Sequence, residues 1–294
     1  MFDLSIIILN YNTKNLLSNL LTSISKSRLE KLKLEVIIVD NASDDGSQEL
    51  VKSKFPKFKL IENTKNLGFS KGNNRGIKKA QGKYLLFLNS DTVVLKDTIL
   101  KTYKFLKSNK KFSAVTCKVE LVNGKIDPAC HRGFPTPWAA LSYFLGLEKL
   151  FPKSKLLAQY HQGWKDLAKP HEVDAISGAF LLIRKNILEK VNNFDEDYFI
   201  YGEDLDLCFK LRKKGYRIGY FPGTKIIHYK KQSGREKSNG KKVTQNDEII
   251  KEETSKHFYE TMKIFYNKHY KHKYPWFIKA FVLAGVLLVS KFKK

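Results

Sequence analysis

The strongest constraint on this chain is a set of apolar runs of strand length whose side chains barely alternate. Leu4-Ser5-Ile6-Ile7-Ile8-Leu9, Leu34-Glu35-Val36-Ile37-Ile38-Val39, Phe58-Lys59-Leu60-Ile61 and Tyr84-Leu85-Leu86-Phe87-Leu88 recur with intervening segments that suit helices at 14–26, 46–54 and 69–80. A strand with one wet face alternates apolar and polar residues, whereas a continuous run suits a strand covered on both faces, as in a parallel sheet between helices. Residues 1–115 therefore predict a βαβαβαβ half of nucleotide-binding type. In open sheets of this kind ligands sit beyond the carboxyl ends of the strands. That rule singles out Asn10-Tyr11-Asn12, Asp40-Asn41-Ala42-Ser43 and Asn89-Ser90-Asp91.

From 119 to 170 the pattern weakens, with Pro128, Pro135, Pro137 and Pro152 and scattered Phe134, Trp138, Tyr143, Phe144 and Trp164. Such a stretch suits a lid or a second binding surface. Periodicity returns as a strand over 173–184, a helix over 203–214 and a strand over 217–221, and 230–245 is a polar loop. Beyond it Phe258, Met262, Phe265 and Tyr270 fall at helical spacing and lead to Ala280–Ser290, eleven residues without a charge. A spanning helix needs about twenty apolar residues. From Lys263 to Lys294 there are eight Lys and no acid, the composition of an interfacial membrane helix. The alternative is a terminal helix docked on the protein's own core.

The chain of 294 residues carries 54 Lys plus Arg against 29 Asp plus Glu, a net charge of +25. A hydrophobic share of 42% supports a sizeable core and excludes wholesale disorder. Only seven of the basic residues are Arg, and no zinc-finger, basic-zipper or RNA-recognition signature accompanies them, which argues against nucleic acid as a partner. Cys117, Cys130 and Cys208 form no CxxC pair, so neither a disulfide framework nor a structural zinc site is expected. Met1-Phe2-Asp3-Leu4 carries an acid where a signal peptide carries basic residues, so a cytoplasmic setting is expected.

Four places carry candidate chemistry. Asp40 can accept a hydrogen bond from a pyrimidine N3–H, which cytosine lacks, or it can cap the following turn together with Ser43, Asp44 and Asp45. Gly68-Phe69-Ser70-Lys71-Gly72-Asn73-Asn74-Arg75-Gly76 has the glycines of a phosphate loop but fits neither GxGxxG nor Walker spacing. Gly68, Gly72, Gly76 and Ala80 stand four apart, a small-residue stripe for close helix packing, which leaves Lys71, Asn74 and Arg75 for a ribose or pyrophosphate. Asp91, after a buried strand, suits a divalent cation that bridges two phosphates, and His228 is a second candidate ligand. Tyr201-Gly202-Glu203-Asp204-Leu205-Asp206-Leu207-Cys208 sets three acids at a helix start, where capping and the helix dipole also favour them. Residues 203 and 204 lie about 100° apart around a helix, so one can face a cleft as a general base while the other supports it.

In this order the pieces resemble an inverting family-two glycosyltransferase of the GT-A fold, most closely its rhamnosyltransferase-like members. The likeness runs from Leu4 to Tyr229 and rests on Asn10-Tyr11-Asn12, the Val39–Ser47 turn, the Asn66–Gly76 loop, Leu88-Asn89-Ser90-Asp91-Thr92, Ser177-Gly178-Ala179-Phe180 and the Tyr201–Cys208 motif. It implies an α/β architecture, a Rossmann-like, mostly parallel sheet flanked by helices over 1–230, with 1–115 binding nucleotide and 116–230 serving acceptor and catalysis. A basic helical extension over 231–294 would follow, with 271–294 meeting a membrane surface. The resemblance implies that Asp40 reads the pyrimidine among Asn10, Tyr11, Asn12, Asn66, Lys71, Asn74, Arg75, Asn89 and Ser90. It makes Asp91 the surviving acid of a DxD element that holds Mg²⁺ or Mn²⁺ with His228, Asp204 the base, Glu203 its support, and Ser177, Gly178 and Ala179 neighbours of the donor sugar and acceptor. Two departures stand out: Asn89 replaces the first acid of DxD, and Lys230-Lys231-Gln232 replaces a glycine-containing sequence after the histidine.

The implied partners are a nucleoside-diphosphate sugar, with dTDP-rhamnose ahead of a UDP-hexose, and a lipid-linked or polysaccharide acceptor at the inner face of the cell membrane. A sugar-nucleotide nucleotidyltransferase would share the doubly wound half, but its first loop is glycine-rich, unlike Asn10-Tyr11-Asn12-Thr13. A non-catalytic membrane-surface or nucleic-acid-binding protein would show salt-sensitive binding and no nucleoside-diphosphate release. The last 69 residues hold +10 of the charge against +15 in the first 225, so the excess concentrates at the carboxyl end.

Overall fold

The computed structural model describes residues 1–230, 257 and 260–278. Strands β1 (Leu4–Asn10), β2 (Leu34–Asp40), β3 (Lys59–Glu62) and β4 (Tyr84–Asn89) alternate with helices α1 (Lys14–Ser25), α2 (Ser47–Lys54) and α3 (Gly68–Lys79). The strands pair in parallel in the order β3-β2-β1-β4. Their unalternated runs are buried as the pattern requires: Ile6, Ile7, Ile8, Ile38 and Val39 are wholly inaccessible. Close packing is the work of two α3 glycines, since a Cβ at Gly72 would stand 2.3 Å from Leu9 Cδ1 and one at Gly76 2.6 Å from Ile7 Cγ2. Gly68 faces elsewhere. It has φ +76°, and a Cβ there would lie 2.4 Å from the Phe199 carbonyl oxygen.

The chain continues through β5 (Thr92–Val94), α4 (Thr98–Ser108), β6 (Phe112–Leu121), α5 (Pro137–Phe144), α6 (Leu147–Leu150), β7 (His171–Val173), β8 (Phe180–Arg184), α7 (Lys185–Lys190), α8 (Glu203–Lys213) and β9 (Arg217–His228). Among the described residues nine strands form one sheet in the order β3-β2-β1-β4-β8-β6-β9-β5, with β7 on β9. β6 crosses residue 115, so the two halves read from the sequence share that sheet.

The strand expected over 173–184 is two. β7 lies antiparallel on β9 and β8 lies antiparallel between β4 and β6, and the 174–179 segment crosses from one place to the other. A turn breaks the run there, with Ala179 N donating to Ser177 Oγ at 3.1 Å. Conversely, the strand expected at 217–221 extends to His228, because β9 pairs first with β7 and then, past an irregularity opposite Cys117 and Lys118, with β5. The three cysteines are buried and unpaired.

Residues 260–269 are helical and dock on the protein's own core: Phe265, Tyr266 and Tyr270 cluster with Tyr198, Phe134 and Phe209. Phe258, the polar loop beyond Lys230 and the charge-free run Ala280–Ser290 lie outside the described residues. Within the described residues no helix is long and apolar enough to cross a membrane.

Candidate active site

The parallel register sets the expected residues in a row, with Asn10 opposite Asp40, Asp40 opposite Glu62 and Leu9 opposite Asn89. The chain then turns sharply, with Asn12 and Ala42 at φ 51° and 62°. Asp40 is 1% exposed and its carboxylate holds these turns together. Oδ1 accepts from Ser43 N and Gln48 Nε2, both at 2.8 Å, and Oδ2 accepts from Asn10 Nδ2 at 2.8 Å and Ser43 Oγ at 2.7 Å. Of the two readings open for Asp40, this geometry is the turn-organising one. Asn12 joins the same network: its N–H donates to Ser43 Oγ at 3.0 Å and its Oδ1 accepts from Asp44 N at 3.0 Å. Tyr11, 46% exposed, stands at the rim. Thr13 Oγ1 lies 2.6 Å from Asn10 Oδ1 and 2.8 Å from Ser90 Oγ, tying the first loop to the turn after β4.

The Asn66–Gly76 segment, whose residues from Gly68 on form the start of α3, departs from expectation at Asn74. Nδ2 donates to Phe194 O at 2.9 Å and Glu196 Oε1 at 3.0 Å, and Oδ1 accepts from Phe194 N at 3.2 Å. Asn74 thus staples α3 to the segment before α8, satisfying backbone groups that burial would otherwise orphan. Arg75 stays exposed, with Nη1 donating to Asn63 Oδ1 at 2.5 Å, and Asn63 donates in turn to Asn41 Oδ1 at 2.7 Å. Asn66 Oδ1 accepts from Asn41 Nδ2 at 3.0 Å and Gly68 N at 2.9 Å, while Lys71 is exposed on α3.

β5 leaves the Asn89-Ser90-Asp91 turn and pairs with the end of β9, and the register Thr92 to His228 brings that histidine to Asp91. His228 Nε2 lies 3.3 Å from Asp91 Oδ1, and Nδ1 lies 2.9 Å from Asp127 Oδ2. Asp127 is fully buried and also accepts from Lys230 Nζ at 2.8 Å. Burial by itself would lower the His228 pKa, but the bonds to Asp127 and Asp91 outweigh it and push it up to about 9. Sequence reasoning missed Asp127, whose partner is 101 residues away.

At the start of α8, Asp204 Oδ2 accepts from Arg132 Nη2 at 2.8 Å and Oδ1 from Leu205 N at 2.7 Å. Arg132 was also missed; it comes from the weakly patterned region. Glu203 is 6% exposed, its Oε2 has no hydrogen-bond partner, and burial together with the Asp204 charge raises its pKa well above the carboxylate range. Asp206 faces the other way, paired with His269 at 2.7 Å and Lys210 at 3.0 Å. The segment 176–179 links the two acidic places: Asn89 N donates to Ala179 O at 3.4 Å, and Ile176 N lies 3.5 Å from Cys208 Sγ on α8. Gly178 within it leaves room for Phe69, whose Cζ would be 3.0 Å from a Cβ.

Residues 5–191 match the family model described as glycosyl transferase family 2. The chain belongs to this family. Among its family-2 relatives, the rhamnosyltransferase WbbL of Escherichia coli (strain K12) is 29% identical over 177 residues, covering 57% of this chain and 63% of that one. The N-acetylglucosaminyl-diphospho-decaprenol L-rhamnosyltransferase of Mycobacterium tuberculosis (strain ATCC 25618 / H37Rv) is 24% identical over 213 residues, 68% of each chain. The chain thus spans about two thirds of the length of these relatives. The mannosyltransferase PcManGT from Pyrobaculum calidifontis, solved in complex with GDP-Man and Mn²⁺, shares the GT-A fold at a TM-score of 0.57 and 18% identity, over 90% of this chain and 64% of that one.

No group of three or more His, Cys, Asp or Glu fit to hold a metal ion occurs among the described residues of this family-2 chain. Asp91 and His228 could hold a cation shared with a ligand once the ion displaces the imidazole proton that Asp127 and Asp91 otherwise stabilise. Mg²⁺ and Mn²⁺ are held by one or two protein groups when substrate phosphates complete the shell. A histidine ligand is oriented by a carboxylate on its other nitrogen, the place Asp127 occupies.

Proposed function

We propose that this chain is an inverting, metal-dependent glycosyltransferase of cell-surface polysaccharide synthesis, which moves a sugar from a nucleoside diphosphate to a hydroxyl of a lipid-linked or polysaccharide acceptor at the inner face of the cell membrane. The observation that carries the reading is the pairing of Asp91 with His228 at the end of β4, connected by 176–179 to the Arg132-bound Asp204. Rhamnose is the sugar that the names of the two relatives above favour, dTDP is its carrier by the family resemblance, and a UDP-hexose is the control.

Asn10, Asn12, Ser43 and Asp40 shape the base pocket under the Tyr11 rim. A uracil or thymine N3–H reaches Asp40 Oδ1 by replacing the Gln48 amide, the one partner of that carboxylate carried by a helix side chain outside the loops. Asp91 and His228 would hold Mg²⁺ or Mn²⁺, which supplies positive charge to the departing diphosphate. Asp127 keeps His228 Nε2 turned to Asp91. Arg132 holds Asp204 fixed, and each Asp204 oxygen retains a lone pair for the acceptor hydroxyl. Neutral Glu203 beside it leaves one negative charge at the base. The acceptor oxygen attacks the anomeric carbon as the bond to the diphosphate breaks, its proton passes to Asp204, and the single displacement inverts that carbon.

Thermal-shift measurements with UDP, dTDP and their sugar nucleotides, with and without Mn²⁺, test this. Stabilisation by a pyrimidine diphosphate that grows with Mn²⁺ is expected. No response to either diphosphate would overturn the reading.

A further inference from the structure

The segment joining Arg132 to β7 leaves uncovered an apolar face that sugar transfer does not use. Trp138, Phe144, Leu145, Leu150, Phe151 and Leu156 are between 41% and 71% exposed. One exposed leucine is ordinary, but six large apolar side chains within nineteen residues form a patch of the kind that marks a partner or a membrane. The patch is built rather than frayed. Thr136 caps α5 by accepting from Ala139 N at 3.1 Å, Trp138 Nε1 donates to Leu156 O at 2.8 Å, and Ala139, Ser142 and Glu148 turn inward and are buried. With its N–H satisfied, the Trp138 ring carries no unpaired donor into an apolar medium.

Charge identifies the occupant. Glu148 is the only acid from 136 to 157, and it is buried against His161, while Lys149, Lys153 and Lys155 are exposed among the apolar side chains. The outer face therefore presents three cations and no anion. A second copy of a +25 chain, or its own carboxyl end with eight Lys and no acid from 263 onward, would set lysine against lysine. An anionic lipid surface instead accepts aromatic and aliphatic groups at the headgroup boundary and lysine tips among the phosphates.

We propose that the α5–α6 face docks on an anionic phospholipid bilayer. This rests on the reading of the acceptor as lipid-linked and says how that acceptor reaches the base. The docked segment begins at the residue that holds Asp204: Arg132 is bonded to it, and Gly133 N donates to Tyr160 O at 2.7 Å within the same fold-back. A face seated on the bilayer thus stands six residues along the chain from the guanidinium that holds Asp204.

Flotation of the full chain with vesicles of phosphatidylglycerol and phosphatidylcholine tests the proposal, with Leu150→Asp/Phe151→Asp as the variant. Wild type should float with anionic vesicles and not with pure phosphatidylcholine, and the double variant should partition at least about tenfold less, since two apolar side chains that enter the headgroup boundary become two anions facing lipid phosphates. Its melting temperature and its stabilisation by dTDP or UDP should match wild type. Brominated phosphatidylglycerol should quench tryptophan emission less in Trp138→Phe than in wild type. Undiminished flotation of the double variant overturns the proposal, and so does a variant whose one change is a dimer becoming a monomer. If flotation falls as expected while no nucleoside diphosphate stabilises either protein, the lipid surface stands and the glycosyltransferase reading fails.

Discussion

The candidate site has two acidic regions, one at the end of β2 and one at the start of α8, and they treat their carboxylates in opposite ways. In the β1–β2 loops, Asp40 spends both oxygens on four donors, all neutral and all from its own surroundings. At the start of α8, Glu203 and Asp204 are adjacent buried acids served by one guanidinium, and a Glu203 oxygen has no partner. Buried like charges raise each other's pKa and cost stability. A carboxylate saturated by neutral donors organises the loops around it; a crowded acidic pair costs stability, as expected of the base and its support under the proposed function.

The largest expected effect breaks the crowded side. Asp204→Asn keeps shape and loses the proton acceptor, so turnover should fall by about 10²–10⁴-fold with donor binding kept; near-normal turnover in steady-state assays would end the base assignment. Next, Asp127→Asn should weaken Mn²⁺ binding in the presence of nucleoside diphosphate by about 10–100-fold, read by titration followed with electron paramagnetic resonance. Unchanged affinity would make Asp127 a packing residue. On the saturated side, Asp40→Ala should cost about 1–3 kcal/mol in chemical denaturation, because Asn10 and Ser43 lose a buried charged acceptor.

The smallest effect sharpens the contrast. An unfolded Glu203 ionises near 4.5, whereas the folded side chain keeps its proton to higher pH. The stability it contributes is therefore full below that value and is lost as pH rises toward the folded pKa. Glu203→Gln, an isostere of the neutral acid, should leave turnover within a few-fold of wild type and raise the melting temperature increasingly above pH 4.5, where the free side chain ionises. A constant offset at all pH values would refute the raised pKa.

The row Asn10, Asp40, Asn89–Asp91 was legible because parallel strands buried on both faces must end together, and an acid at such an end has few structural excuses. Glu203 and Asp204 were legible, with Asp206, as three acids at one helix start. Asn74 was not legible as a staple, because one sequence cannot tell which polar side chain of a helix will be needed by the backbone of a distant segment, here that of Phe194. Asp127 and Arg132 were hidden for a further reason: each comes from the segment without periodicity and finds its partner 101 and 72 residues away. The single strand expected over 173–184 failed at Ser177-Gly178-Ala179, where a local turn outweighs apolar continuity.

The helix at 260–269 rests on the opening of α8: Thr261 Oγ1 donates to Ile200 O at 3.2 Å, a Cβ at Gly202 would collide with Thr261 Cγ2 at 2.2 Å, and His269 grips Asp206. The start of α8 is thus buttressed from about sixty residues further along the chain: Glu203 and Asp204 keep their place only while Thr261 and His269 hold theirs, so a change at either of those distant residues reaches the acidic pair without touching it.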